Sequence, residues 1–475
     1  MIKKGFPSIH FYDQDFVDIY NKSWAWIQDS WKKGTSRNGL QSRYFNYPGS
    51  STIHQWEACL STFFLVYNNR FFPASPCLDN FYGKQEAGGA IRGEYNCSTG
   101  KPVLHDNNPE GVHPPLFSWA EYNLYHKVGN KKRLKDVLPI LEKYFVWLEE
   151  TFKKPNGLYA VPGAARMMDN LPTLKETEYP VDFNTQQAIN ALYMSEIGDI
   201  LNDKEISFKY KRHYFSLKTR ITSLMWNSED GIYYDLDKNE QQLKVKTIAA
   251  FWPLLAEIPN EEKVEKLVAH LKNPDTFGLE NPFPTLAANE PAFSELGEGC
   301  RGSVYPPFTF MVIKGLEKYG QYEFARECAI RHLYYMLDTL HPEGKEKGTI
   351  HEAYLPRKEG PAQWPGKDDF PRPMFLPYTA LSSLTLMIEN VIGLYISLPR
   401  KTVDWIVPTL EIMGIEDLSL KRNMITILSN KSGRGWEIRL ESEKLYYFTI
   451  NILSENKKKT LPIPSGKCSM LIDKL

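Results

Sequence analysis

With 475 residues and 57 basic against 57 acidic side chains, the chain carries no formal net charge, which excludes an electrostatic grip on nucleic acid. No apolar run reaches the length of a membrane span, and 13% aromatic residues suit either a large core or a cleft where sugar rings stack on aromatic faces. The size implies two or three domains, or one large helical barrel with an appendage. Six cysteines, Cys59, Cys77, Cys97, Cys300, Cys328 and Cys468, show neither CxxC nor metal-ligand spacing, so they read as reduced thiols.

The chain opens Met-Ile-Lys-Lys-Gly-Phe-Pro with no apolar run behind its lysines. A signal peptide is therefore not expected, and the expected compartment is the cytoplasm, or the periplasm if a leader was removed. Apolar periodicity then predicts helices over Asp15–Lys32, His54–Tyr67, Leu116–Val128, Lys132–Thr151, Thr185–Leu201, Lys204–Trp226 and Glu261–Leu271. Three more are predicted over Val304–Tyr319, Tyr322–Leu340 and Leu376–Leu394. Pro114-Pro115 and Pro306-Pro307 each mark a helix start, because a first turn does not use the N–H groups that proline lacks. Beyond Pro399 the pattern changes to short β-rich runs at Thr402–Val407, Asn423–Leu428, Trp436–Leu440, Leu445–Ile452 and Cys468–Ile472. Turn-forming stretches such as Asn430–Gly433 and Pro462–Gly466 separate them. The expected organisation is a helical domain over residues 1–397 and a small antiparallel β domain over 398–475.

Several loops between the helices are long and rich in Gly, Pro and Asn, as functional loops are. Ala165–Pro172 carries Asp169 and Asn170. Its ordinary reading is turn chemistry; its functional reading is a carboxylic acid kept protonated between Met167 and Met168, since apolar surroundings disfavour the charged form. Gly348–Pro356 carries Glu352, with His351 and Tyr354 as orienting partners, set against an ordinary solvated loop glutamate. Two such carboxyls suit glycoside hydrolysis, which needs an acid and a base on either side of the scissile bond. Candidate holders of a substrate are Gln55, Trp56 and Glu57 at a helix start, Gln85 beside a Gly-Gly turn, and Arg301 ahead of the second Pro-Pro pair. Phosphate loops, dinucleotide fingerprints, HExxH and nucleophile elbows are absent from the sequence, as is an EF-hand loop, and no cofactor is expected.

Taken in chain order, Gln55-Trp56-Glu57, Leu78–Tyr82, Pro114-Pro115 with Trp119-Ala120, Met168-Asp169-Asn170, Val181–Asn184, Arg301-Gly302 with Pro306-Pro307, and Glu352-Ala353-Tyr354 resemble the glycoside hydrolase family 63 group. Within it they are most similar to the bacterial mannosylglycerate-hydrolase-like branch, with trehalases as more distant relatives. The resemblance implies a mainly α fold, an (α/α)6 barrel with a small C-terminal antiparallel β domain, that hydrolyses α-linked sugars with inversion. By position it implies Asp169 as general acid and Glu352 as general base, with Arg301, Trp56, Gln55 and Trp119 lining the sugar subsite. Three departures bear on the substrate. Glu57 replaces the usual Asp, Tyr305 replaces the usual Trp before Pro-Pro, and Asp369–Tyr378 lacks a Gly-Trp-Thr-Gly-like turn. The expected partner is a small saccharide or oligosaccharide, on a monomer or small homo-oligomer. Other (α/α)-barrel chemistry, as in a lyase or epimerase, and a sugar-binding barrel without turnover stay open as alternatives.

Overall fold

The structure is a computed structural model that describes residues 6–337, 340, 348–372, 374–420, 423–433, 435–463 and 465–473. The Gly-Lys-rich turn ahead of Glu352, Pro373, Pro464 and the predicted helical residues 338–339 lie outside the described residues.

Twelve helices among the described residues form two concentric rings. The outer ring is α1 (Gln14–Asp29), α3 (Ser75–Tyr82), α5 (Lys131–Phe152), α7 (Lys204–Arg220), α9 (Glu261–Lys272) and α11 (Tyr322–Leu337). The inner ring is α2 (Gln55–Leu65), α4 (Phe117–Val128), α6 (Val181–Leu201), the short α8 (Trp252–Leu255), α10 (Pro306–Glu317) and α12 (Leu381–Val391), which is wound as a π-helix. Each inner helix touches the next, and α12 closes the circle against α2. The expected (α/α)6 barrel is thus the fold.

The two rings differ as their sequences require. Pro306 to Leu316 of α10 are all buried, as are all eleven residues of α12, because an inner helix meets protein on every side. On the outer α9 the buried residues Val264, Leu267, Val268 and Leu271 make one stripe. Outer helices α1, α5, α7 and α9 begin on Asp13, Asn130, Asp203 and Asn260, each accepting a backbone N–H of the first turn. The inner helices have no such side-chain cap, so their first N–H groups face the end of the barrel that holds the long loops.

Loop length separates the two ends. Outer-to-inner connections are long, spanning residues 83–116, 153–180 and 273–305. Inner-to-outer connections shrink to residues 129–130 and 202–203. Pro306 and Pro307 occupy the first positions of α10 as expected. Pro114 and Pro115 instead stand outside α4, which starts at Phe117; the Leu116 N–H donates back to the Pro114 carbonyl at 2.9 Å, so they form a turn ahead of the helix.

The β region begins at β2 (Leu394–Ser397), earlier than the apolar periodicity suggested, because Gly393 turns the chain at φ +90. A Cβ there would lie 2.2 Å from the Ile406 carbonyl oxygen. One sheet runs β8 (Lys457–Ile463), β7 (Tyr446–Ile452), β3 (Thr402–Val407), β2, with the β3–β7 pair parallel. The other runs β1 (Ser8–His10), β4 (Met413–Leu420), β5 (Asn423–Ser432), β6 (Gly435–Ser442), β9 (Gly466–Asp473), so an N-terminal strand completes it. Alternate residues Val403, Trp405 and Val407 of β3 are buried. The Trp405 indole donates to the Ile392 carbonyl at 2.6 Å, fastening the sheet to the end of α12. No helix among the described residues is long and apolar enough to cross a membrane.

Candidate active site

A cavity of about 220 Å³ opens at the N-terminal ends of α2 and α10, among the long loops. Trp56 and Glu57 reach it from the first turn of α2 and Tyr305, Pro307 and Phe308 from the start of α10. Asp169 and Glu352, far apart in sequence, both line it. Its aromatic wall is continuous: Trp56 lies 6.2 Å from Phe308, which is 5.8 Å from Tyr305 (ring centroids).

Asp169 stands on a loop fixed from both sides. Upstream, Arg166 is buried and donates through Nε to both oxygens of Asp182 (3.0 and 2.9 Å) and through Nη1 to Asp235 (2.8 Å). Asp182 sits in the first turn of α6, and burial pushes its carboxyl up even against Arg166. Downstream, Asn170 donates to the Glu298 carbonyl (2.7 Å) and accepts the Cys300 N–H (2.8 Å). Met167 adopts φ 58 and Asn170 φ 49. This turn buries Met168 in the core and leaves Asp169 exposed at the cavity. The expected enclosure of Asp169 between two methionines therefore does not form; only Met167 joins it in the wall.

Glu352 is held by Arg372, whose backbone N–H and Nε both donate to Oε2 at 2.9 Å. The Arg372 Nη2 donates to the Tyr378 hydroxyl at 3.0 Å. Backbone bonds in both directions between Val304 and Tyr354, each 2.9 Å, stitch the Glu352 loop to the strand entering α10. Glu57 is buried beside this group. Desolvation raises its pKa; His54 and the Arg372 guanidinium oppose that rise, and Glu352 and Glu94 add to it. Burial, with Glu352 alongside, also pushes the Tyr378 hydroxyl up. Burial, and then Asp169 alongside, push up the Cys300 thiol, which also lines the cavity.

The remaining candidates fall elsewhere. Gln55 is fully buried, its Nε2 donating to the Pro114 carbonyl and the Tyr144 hydroxyl, both at 3.1 Å, so it ties α2 to its neighbours and does not line the cavity. Gln85 staples its loop onto α5 through the Gly89 and Ile140 carbonyls. Trp119 lines a different cavity at the other end of the barrel. Tyr354 is buried behind the Glu352 loop, where its hydroxyl accepts the His351 N–H at 2.9 Å. His351 is half-buried and its pKa is lowered by desolvation, with Glu352 opposing. Arg301 is exposed at the rim, its Nε 3.4 Å from the Asn170 carbonyl oxygen. Sequence reasoning missed Arg372 and Tyr378, although they lie in the stretch marked as departing from the family pattern. No group of three or more His, Cys, Asp or Glu among the described residues is placed to hold a metal ion.

Two carboxyls on separate loops, aromatic rings and a buried third carboxyl thus gather in one cavity. Comparisons with known proteins show the family. Residues 105–370 match the family model for the mannosylglycerate hydrolase MGH1-like glycoside hydrolase domain, and residues 393–475 match that for the trehalase C-terminal domain. The chain is similar to an uncharacterized protein of Borreliella burgdorferi, 54% identical over 478 residues and 100% of both chains. In fold it is similar to the family 63 mannosylglycerate hydrolase from Thermus thermophilus, 17% identical with TM-score 0.58 over 78% of this chain and 98% of that one. It is also similar to the family 78 rhamnosidase of Bacillus sp. GL1, 14% identical with TM-score 0.68, over 92% of this chain but 42% of that one. The chain belongs to the mannosylglycerate hydrolase MGH1-like glycoside hydrolase family.

Proposed function

We propose that this glycosidase cleaves a small α-linked saccharide or glycoside with inversion, Asp169 acting as general acid and Glu352 as general base. The observation that carries the reading is that these two carboxyls, from separate loops, line one aromatic-walled cavity. Asp169 protonates the glycosidic oxygen as the bond to the anomeric carbon breaks. Glu352 takes a proton from water, whose oxygen bonds to that carbon from the opposite face. Trp56 and Tyr305 supply faces for the sugar ring, and Glu57 accepts or donates hydrogen bonds to its hydroxyls. Arg372 fixes the orientation of Glu352. Residues 1–397 form the catalytic unit in this reading, and 398–475 support it.

Asp169→Asn and Glu352→Gln test the assignment. Each is expected to lower kcat by at least about 100-fold, the usual worth of a positioned acid or base, with unfolding midpoints close to wild type. Activity within about tenfold of wild type in either variant removes that residue from its role.

A further inference from the structure

The inner helices carry a second cavity of about 360 Å³ at their other ends, where the last turns of α2, α4 and α10 meet β2 and β3. Helix α10 spans both sites: Pro307 lines the first cavity, and Lys314 and the C-cap residue Lys318 the second. At 1.5 Å per residue they lie about 10–16 Å apart along the axis. A plug of rings separates them, with Phe63 4.4 Å from Trp119 and 5.4 Å from Phe310 (ring centroids). The second cavity is roofed by the β region, tied down where His126 Nδ1 meets the Ser397 hydroxyl at 2.9 Å and the His126 carbonyl accepts the Leu398 N–H at 2.8 Å.

Most charges around it satisfy one another. Glu389 lies between Lys127 (3.1 Å) and Lys314 (2.7 Å) and also accepts the Tyr67 hydroxyl. Lys314 also meets Glu317 (2.7 Å), and Lys318 pairs with Glu257 (2.8 Å). Three lining groups stand apart. The side chains of Arg400 and Asp404 make no hydrogen bond or ion pair among the described residues. The Asn123 Nδ2 is a buried donor without an acceptor among them. A guanidinium, a carboxylate and an amide sum to no net charge, so they do not select an anion. Together with the aromatic walls of Trp119, Tyr122, Tyr193 and Tyr395, they offer what a neutral, hydroxyl-rich ring needs: flat apolar faces and spare donors and acceptors at their edges. The volume falls in the range of small-molecule sites.

We propose that this cavity is a second saccharide site, taking a neutral mono- or disaccharide at the barrel end opposite the candidate active site. The proposal does not rest on Asp169 and Glu352 being the acid and base, and loss of hydrolysis in their variants leaves it untouched.

Saturation-transfer NMR and calorimetric titration of the full chain with D-glucose and D-mannose test it, using wild type, Trp56→Ala, Arg400→Met with Asp404→Asn, and all three changes together. At least one sugar is expected to bind Trp56→Ala, and to bind at least about tenfold more weakly once Arg400 and Asp404 are also replaced, as loss of charged hydrogen bonds implies. Binding abolished by Trp56→Ala alone overturns the proposal, as does binding unchanged by the Arg400 and Asp404 replacements or absent from every form. Displacement of the sugar from Trp56→Ala by inorganic phosphate overturns it in favour of an anion site. If Trp56→Ala fails to fold, wild-type crystals soaked in D-glucose decide. Sugar density beside Asn123 and Arg400 supports the site; density only between Trp56 and Glu352, or none, contradicts it.

Discussion

The Arg166 triad offers the sharpest test of how the barrel holds the Asp169 loop. Arg166 is 1% exposed and bridges Asp182, fully buried, and Asp235, 5% exposed. Removing one partner of a buried ion pair costs about 3–5 kcal/mol, because a charge is left uncompensated. Asp182→Asn leaves Arg166 still bonded to Asp235 and keeps one oxygen for the Phe183 N–H now bonded at 2.8 Å. Its expected cost is therefore at or below the low end, about 2–3 kcal/mol. Arg166→Met leaves two buried carboxylates without their shared cation, so it is expected to cost more, about 4–5 kcal/mol. Because Asp169 follows Arg166 by three residues, both changes are also expected to lower kcat, since misplacement of a reacting group by about 1 Å costs ~100-fold. Urea unfolding of wild type, both single variants and the double variant, with kcat measured on the folded fraction, supplies the cycle. A cost below about 0.5 kcal/mol for Asp182→Asn, typical of a surface change, or a smaller cost for Arg166→Met than for Asp182→Asn, refutes the reasoning.

Acid is expected to destabilise the fold through buried histidines. His113 and His332 have their pKa lowered to about 3, both chiefly by desolvation. The unfolded chain therefore binds protons near pH 6.5 that the folded chain refuses until about pH 3, and stability falls as pH drops through that window. At about pH 5 each contributes a loss of about 2 kcal/mol; urea midpoints across the range from neutral to that pH measure it, and His332→Gln is expected to flatten the slope. Gly299→Ala is expected to lower activity by more than about tenfold, because Gly299 has φ +67 and an added Cβ would lie 2.6 Å from the Trp364 ring and 2.8 Å from Asn170 Oδ1. That displaces the clamp on the Asp169 loop; wild-type kcat in this variant contradicts that role for Asn170.

Much of the barrel was legible because outer helices such as α9 carry an apolar stripe and four of them begin at Asx, while the inner α10 opens on Pro-Pro. Helices α3 and α8 escaped notice because eight and four residues are too few to show a period. Strand β8 begins on three lysines, and β4 carries Gly414, Glu416 and Asp417, so neither alternates cleanly. At the site, the loops of Asp169 and Glu352 were visible by composition, whereas Arg372 reaches Glu352 only after twenty residues of chain fold back. Trp119 shows the limit of local grammar. It is the third residue of α4 yet packs against Phe63, the ninth of α2, which sets α4 about 9 Å deeper along the axis. Sequence places an aromatic on a helix; only the stagger of helices decides which cavity it meets.

The most direct test of the central claim is the anomeric configuration of the first sugar released, followed by proton NMR from the first minute of hydrolysis across α-linked glucosides, mannosides, galactosides and rhamnosides. The account predicts a β-anomer appearing first from an α-glucoside or α-galactoside and then mutarotating. An α-anomer first, or no release from any of these substrates by the folded enzyme, contradicts it.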